Sequence, residues 1–283
     1  MTGPVTHTVR KGETLGKIAK KHGIDSWKLI YQAKENAKFR KLRPDPNQIE
    51  PGDKIVIPDI PKKPAKTAYK KDLPRMSISI NAEKKLIFVQ QKWQYIYNKR
   101  ATAKKWTSKE KIGFHNKVDK AIWAKWSGKY KIVCKGTSDF ARYYKDTVFD
   151  VSFDIKYVTS GGHWTVTVTK IPKGDSKGSK VNWNAQTIQL DTEDLVPNEF
   201  EEDGKKYENL PAAHEFGHAV GNSKHAASGH GHGDEYKDGS DYKEERASMM
   251  NWGTELKKRH ADHIIWELNK IIPNTRFEVK SVG

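Results

Sequence analysis

The sequence predicts an α+β chain of two units: a small βααβ module in front, then a larger domain with a mixed sheet and one helix that carries the functional residues. Three observations predict this. Extended stretches and helical apolar spacings alternate over residues 1–58, a proline- and lysine-rich stretch over 59–75 lacks apolar periodicity, and strand-like alternation over 76–283 leads into a helical pattern at Pro211–Gly221. The length of 283 residues exceeds one typical domain. With 35% hydrophobic residues, 9 Trp, 11 Tyr and 9 Phe, the chain has enough apolar volume for a packed core, which argues against wholesale disorder.

In the front module, Thr8–Thr14 is an extended piece turning at Gly12. Leu15, Ile18 and Ala19 then share a helix face that stops at Gly23. Ser26 suits the cap of a second helix over Trp27–Ala33, and Pro51-Gly52-Asp53 turns into a short strand, Lys54–Ile57, ended by Pro58. The stretch from Asp59 to Pro74 reads as an extended linker.

In the second domain, Ser77–Ile80 and Lys85–Val89 suggest strands. Thr107 and Ser108 cap a helix reaching about Trp126, with Phe114, Val118, Ala121 and Ile122 on one stripe. Alternation from Phe149 to Tyr157 gives a half-buried strand, and Trp164–Val168 reads as its hairpin partner across Gly161-Gly162. Gln186–Asp191 reads as an edge strand able to pair with an extended peptide. The acidic stretch 191–204 reads as solvated loop, and Thr254–Ile271 as a closing helix.

The central motif is His214-Glu215-Phe216-Gly217-His218, an H-E-x-x-H pattern. Residues four apart on a helix advancing ~100° per residue project from one face, so both imidazoles reach one ion. Glu215 beside them is placed to take a proton from a water polarised by that ion and to return it to a leaving amine. The pattern therefore points to zinc and to hydrolysis, most often of a peptide bond. Asn209 and Pro211 supply helix-start chemistry, and Gly221 a stop. A catalytic zinc takes three protein ligands and one open position. Lys224 occupies the position where a third metzincin ligand would fall, so the candidates are Glu255 and the loop histidines His225, His230 and His232. His260 is placed as a donor to a developing oxyanion, or as a solvent-facing helix histidine.

Two resemblances bear on these readings. Thr8–Leu15, Ile18–Ile24, Ile30-Tyr31, Pro46–Ile49 and Pro51–Pro58 together resemble the LysM domain. That resemblance implies affinity for N-acetylglucosamine-containing glycans such as peptidoglycan, through segments around Lys11–Leu15 and Ile24–Leu29. The longer segment Glu35–Asn47 is similar to the LysM variant beside phage-tail and secretion-spike proteins, which implies an adaptor role instead. Ser248–Gly253 looks like the methionine turn of metzincin peptidases. With His214–Gly221, Asp234-Glu235-Tyr236, Gly253–Leu256 and Arg259-His260, it resembles a zincin-like toxin metallopeptidase domain at the tail of type VI secretion spike proteins. The resemblance implies Glu255 as third ligand, with departures in the loop Asn222–Gly233.

The net charge of +17 is concentrated at the front: residues 1–75 carry 18 Lys and Arg against 8 Asp and Glu, and the rest 34 against 27. Such a field suits nucleic acid, anionic lipid or acidic wall polymers alike, yet no groove-reading motif accompanies it, so specific nucleic-acid binding is not expected. The single cysteine, Cys134, reads as a buried thiol. No run approaches a membrane span, and the start lacks the regions of a signal peptide, so export without a cleavable leader is expected. The leading expectation is a zinc-dependent endopeptidase effector acting in a target-cell periplasm or at the wall. Its partners would be a protein or wall-peptide substrate, peptidoglycan or a secretion spike through the front module, and an immunity protein. The rivals are a peptidoglycan endopeptidase of wall remodelling and a non-enzymatic wall adaptor with a structural zinc.

Overall fold

A computed structural model describes residues 4–61, 63–226 and 233–283, in two compact units, Met1–Lys63 and Pro64–Gly283. Both are α+β. In the first, strand β1 (Val5–Thr8) pairs antiparallel with β2 (Lys54–Ile57), and helices α1 (Leu15–Lys21), α2 (Trp27–Tyr31) and α3 (Ala37–Leu42) lie between them in sequence. Thr14 caps α1 by accepting from Lys17 N, and Ser26 caps α2 by accepting from Lys28 N. Leu15, Ile18, Ala19, Ile30 and Ile55 form the small core.

The third helix is a correction to the βααβ expectation. The long segment after α2 folds because buried Asn36 donates to Ile30 O at 2.8 Å and accepts from Val56 N at 2.8 Å, tying the segment to β2. Arg43 at its far end pairs with Asp53. A buried asparagine satisfied on both sides fixes a connection that apolar periodicity leaves unmarked.

The second unit is built on a nine-stranded mixed sheet. Its strands are β3 (Ala68–Asp72), β4 (Ser77–Asn81), β5 (Leu86–Lys99), β6 (Tyr130–Gly136), β7 (Phe149–Val158), β8 (Trp164–Lys170), β9 (Lys180–Asn182), β10 (Thr187–Asp191) and β13 (Thr275–Val282). The main order is β13-β6-β7-β5-β8-β10-β9, with β4 on β5 and β3 on β4. A separate hairpin joins β11 (Asn198–Glu202) to β12 (Lys205–Asn209). Helices α4 (Ser108–Trp126), α5 (Asp139–Tyr143), α6 (Pro211–Ala219) and α7 (Asp262–Leu268) complete the unit.

Several expectations change here. Residues 68–72 are a strand paired to β4, so the linker ends before them and the unit boundary falls at 63/64. β7 and β8 are not a hairpin: both pair parallel with β5, which lies between them. β5 is 14 residues long and offers β7 its first part and β8 its last. Gly162 packs against it, since a Cβ there would stand 2.9 Å from Gln94 Cβ. β10 is not an edge either, because β9 pairs outside it. The acidic stretch 191–204 contains β11 and buries Asp191 and Asp194. The closing helix begins only at Asp262, after a 3-10 turn over Lys258–Ala261.

The helix over Ser108–Trp126 forms as expected, and its start is a capping box in which Thr107 accepts from Glu110 N and Glu110 reaches back. Its buried face of Phe114, Val118, Ile122 and Trp126 seats α6 against the sheet. Trp126 Nε1 donates to Ala213 O at 3.0 Å, and its ring meets Phe153 and Phe216 edge-on. At the other end, buried Gln91 of β5 donates to Ala219 O at 2.7 Å and accepts from Trp93 Nε1 at 2.9 Å. Helix α6 is thus fixed at both ends, as a short helix requires when its own terminal groups lack partners. Cys134 is buried in β6, and burial pushes its thiol up to about 11.

Gly217 lies over Met250 Sδ and Trp126, where a Cβ would overlap the sulfur. Gly217→Ala is therefore expected to lower unfolding free energy by about 1–3 kcal/mol, as overpacking does, read as a shifted midpoint in denaturant at unchanged slope.

Candidate metal centre

Helix α6 starts with Pro211 at its first position, and the cap residue is Leu210, without a side-chain acceptor. Asn209 does not cap. Its amide instead donates to Asn251 O at 2.8 Å, joining the helix start to the segment Ser248–Gly253. Met249 and Met250 in that segment are fully buried beneath α6.

His214 and His218 sit one turn apart with ring centroids 4.9 Å from each other. His214 Nδ1 lies 2.8 Å from Met249 O, and His218 Nδ1 lies 2.6 Å from Asn222 O. A carbonyl only accepts, so each Nδ1 carries a proton, and in the neutral ring each Nε2 presents a lone pair. Both Nε2 atoms face one carboxylate oxygen, Asp234 Oδ1, at 3.2 Å from His214 and 2.9 Å from His218. His214, His218 and Asp234 are the set of side chains whose ligand atoms lie within 4.8 Å of one another among the described residues.

The expected third ligand, Glu255, is not brought to the histidines. It lies in an extended stretch bridged to Ser248, and its exposed carboxylate pairs with Lys257 at 2.9 Å. The reason is local. Residues 254–257 are not helical, so the stretch after the methionine segment points Glu255 at its own neighbours. His225 lines the same cleft as Glu215 and His218 but is exposed and outside the cluster. His230 and His232 lie outside the described residues. His260 is not a donor to the cleft and not solvent-facing. It is 1% exposed, accepts from Lys257 N through Nδ1 at 3.1 Å, and turns Nε2 to Glu235 Oε1 at 3.2 Å.

Glu235 explains how Asp234 arrives. Fully buried, it is bridged by Arg259 at 2.7 and 3.0 Å, accepts from Ser248 Oγ, and its backbone N donates to Met250 O at 2.8 Å. Burial works to raise this carboxyl, but His260, Arg259 and Ser248 hold it well below the usual carboxylate range. The adjacent Asp234 is carried with it. Burial opposes the Asp234 charge too, and the two histidines outweigh it. Burial pulls His218 down while Asp234 and Glu215 carry it above its ordinary value.

Glu215 is buried. Ser179 Oγ donates to its Oε1 at 3.0 Å, and its Oε2 has no hydrogen-bond partner among the described residues. Three electron-rich atoms converging beside an unsatisfied carboxylate oxygen make a cluster that a bound cation, or a proton on an imidazole, relieves. Two imidazole nitrogens and one carboxylate oxygen are also a donor set that zinc accepts, with both rings oriented by carbonyls through the opposite nitrogen. The residues fit the ion.

Around this centre the cleft has aromatic walls on one flank. Phe200 of β11 stacks on Trp252 at 5.3 Å, and Arg246 lies over Trp252 at 4.2 Å while bridging Glu202. Tyr236 reaches the centre beside His214, with ring centroids 6.1 Å apart. Sequence reasoning noted the run Asp234-Glu235-Tyr236 without giving Asp234 a metal role. The signal was an acidic pair after a motif helix, but Asp234 follows His218 by 16 positions, and the stretch between them carries no periodicity that would fix its place.

In the front unit, the segments expected to contact glycan form the turn at Gly12 with the start of α1, and the start of α2. His7 and Arg10 N hold the Glu13 carboxyl down to about 2, and Leu29 is exposed on α2.

Two measurements follow. Glu235→Ala takes the fully buried acceptor from half-buried Arg259 and from buried Ser248 and His260, and is expected to cost about 3–5 kcal/mol, whereas Glu255→Ala, at the surface, should stay within about 0.5 kcal/mol, both read from denaturant unfolding. Asp194 is buried beside Asp191 and Glu215, and burial pushes it up to about 7. A raised carboxyl contributes stability that is fully present below its ordinary value of 3.8 and lost as pH rises through about 7. The Tm of Asp194→Asn relative to the parent should therefore climb between those limits. A flat difference would contradict it.

The family model of the LysM domain matches residues 7–33. No curated protein and no solved structure matches the chain. The match supports a LysM domain in the front unit and, with it, peptidoglycan or related carbohydrate as that unit's class of ligand.

Proposed function

We propose that the second unit is a zinc-dependent endopeptidase, a hydrolase held near the wall by the LysM domain. The observation that carries this reading is the pair of carbonyl-anchored imidazoles whose Nε2 atoms converge on Asp234, beside the unsatisfied Oε2 of Glu215. His214, His218 and Asp234 would hold the ion, and Asp234 replaces Glu255 in that role. When bound, zinc supplies Lewis acidity, which makes water acidic near neutral pH and polarises a carbonyl.

The chain's own residues do the rest. Glu215 accepts the water proton at Oε2 and returns it to the leaving amine, while Ser179 keeps Oε1 in place. The phenol of Tyr236 is held protonated well above its usual range, by burial and then by the charge of Asp234. It therefore remains a hydrogen-bond donor at neutral pH, at the rim where charge develops on a substrate oxygen. Strand β9 runs along the cleft with one edge paired to β10, so an extended peptide can add to its other edge.

The effector role, with a delivery spike and an immunity protein as partners, rests on the resemblance of the motif segments to toxin metallopeptidase domains. Wall remodelling is the second reading, favoured by the LysM domain. No described helix is long and apolar enough to cross a membrane.

Glu215→Gln is expected to retain one zinc per chain by elemental analysis and to lower cleavage of a quenched peptide by at least about 100-fold. Retained turnover would remove this mechanism. Asp234→Ala should lose the zinc and Glu255→Ala keep it; the reverse pattern would restore Glu255 as ligand. Parallel digestion of muropeptides and unfolded protein separates the two biological readings, and release of wall peptides alone would favour remodelling.

A further inference from the structure

The cleft differs on its two sides. Cavities follow strand β9 in sequence order: about 270 Å³ beside Gly178 and Ser179, about 370 Å³ beside Ser179–Val181, and about 450 Å³ beside Lys180–Asn184. Glu215 lines the first two, so a peptide extended along β9 passes the metal centre with one flank toward Phe200 and Trp252 and the other toward Asn184.

The charge on the second flank is positive and uncompensated. Lys180 borders both larger cavities, Lys224 the middle one, and both are exposed. Neither is paired with an acidic side chain among the described residues. Lys237, the other lysine of the middle cavity, is spent on Asp234. No Asp or Glu lines the cavity beside Lys180–Asn184, whose remaining polar groups include Asn182, Asn184, Gln189 and His225. The two acids of the middle cavity, Glu215 and Asp234, are both engaged at the metal centre. On the first flank the walls are aromatic, and the adjoining hollow sets Lys173 against Glu193 and Asp194, so no cluster of lysines without acids stands there. A field of this asymmetry selects the sign of a bound side chain even where solvent screens each pair.

We propose that the Lys180 and Lys224 flank is an acid-selective subsite, so that the preferred substrate is an extended peptide bearing a carboxylate on that side of the bond cut. This rests on the peptidase reading and names its substrate class. Carboxylates of a protein segment and of a wall peptide share the required chemistry.

The test measures binding apart from turnover. Short fluorescein-labelled peptides differing only by Glu, Gln or Lys at one position are titrated by anisotropy against full-length Glu215→Gln, zinc-loaded and metal-free. Wall peptides with free or amidated carboxylates form a second probe set. The Glu peptide should bind roughly tenfold more tightly than the Gln peptide, an advantage that shrinks as salt rises. The double variant Lys180→Glu with Lys224→Glu should reverse the order in favour of Lys, and Lys180→Gln with Lys224→Gln should erase it. A carboxylate preference in either probe set supports the subsite and identifies the source; equal binding in both, no binding, or a preference unchanged by the charge reversal overturns it. Cleavage of all three peptides by the parent chain at equal rates would sink the subsite and leave the peptidase standing. A Glu preference without cleavage of any peptide would do the opposite.

Discussion

The arrangement depends on one buried carboxylate. Glu235 is bridged by Arg259, accepts from Ser248, faces His260 and hangs its backbone on Met250. A charge buried so deeply is tolerated only with near-complete satisfaction, and these partners come from two stretches of chain other than its own. Satisfying Glu235 therefore pins the returning loop, the methionine segment and the turn before α7 to one another. Asp234, the next residue back, has little freedom left. It meets the histidines because its neighbour is locked.

The histidines are prepared in the same way from the other side. Met249 O fixes one ring and Asn222 O the other, so the tautomer is chosen by backbone before any ion arrives. The methionine segment acts twice, through the Met249 carbonyl on His214 and through the Met250 sulfur under Gly217. In the proposed reading, side chains fixed in this way would lose little freedom on binding an ion, and a carboxylate already desolvated beside them would be spared further rearrangement.

The sheet supplies rigidity and direction. Gln91 and Trp126 clamp the two ends of α6 from different elements, and β9 lies along the cleft as the outermost strand of the main order. The hairpin of β11 and β12 closes the other flank, where Phe200 rests on Trp252. One flank is then aromatic and the other basic, a difference built from two short strands, β9 and β11, and the turns that carry Lys224 and Trp252.

The sequence by itself determined the local features. Helical spacing put His214, Glu215 and His218 on one turn, the Thr107 capping box started α4 where expected, and alternation marked β7. These signals span a few residues and need no partner from afar. Tertiary structure decided the rest: β5 between β7 and β8, β9 outside β10, a third helix held by Asn36, and Asp234 rather than Glu255 beside the two histidines. In each case the deciding contact joins residues remote in sequence. Periodicity reports which face of an element is apolar, while the choice of neighbour is settled only when buried polar groups such as Asn36 and Glu235 find all their partners at once.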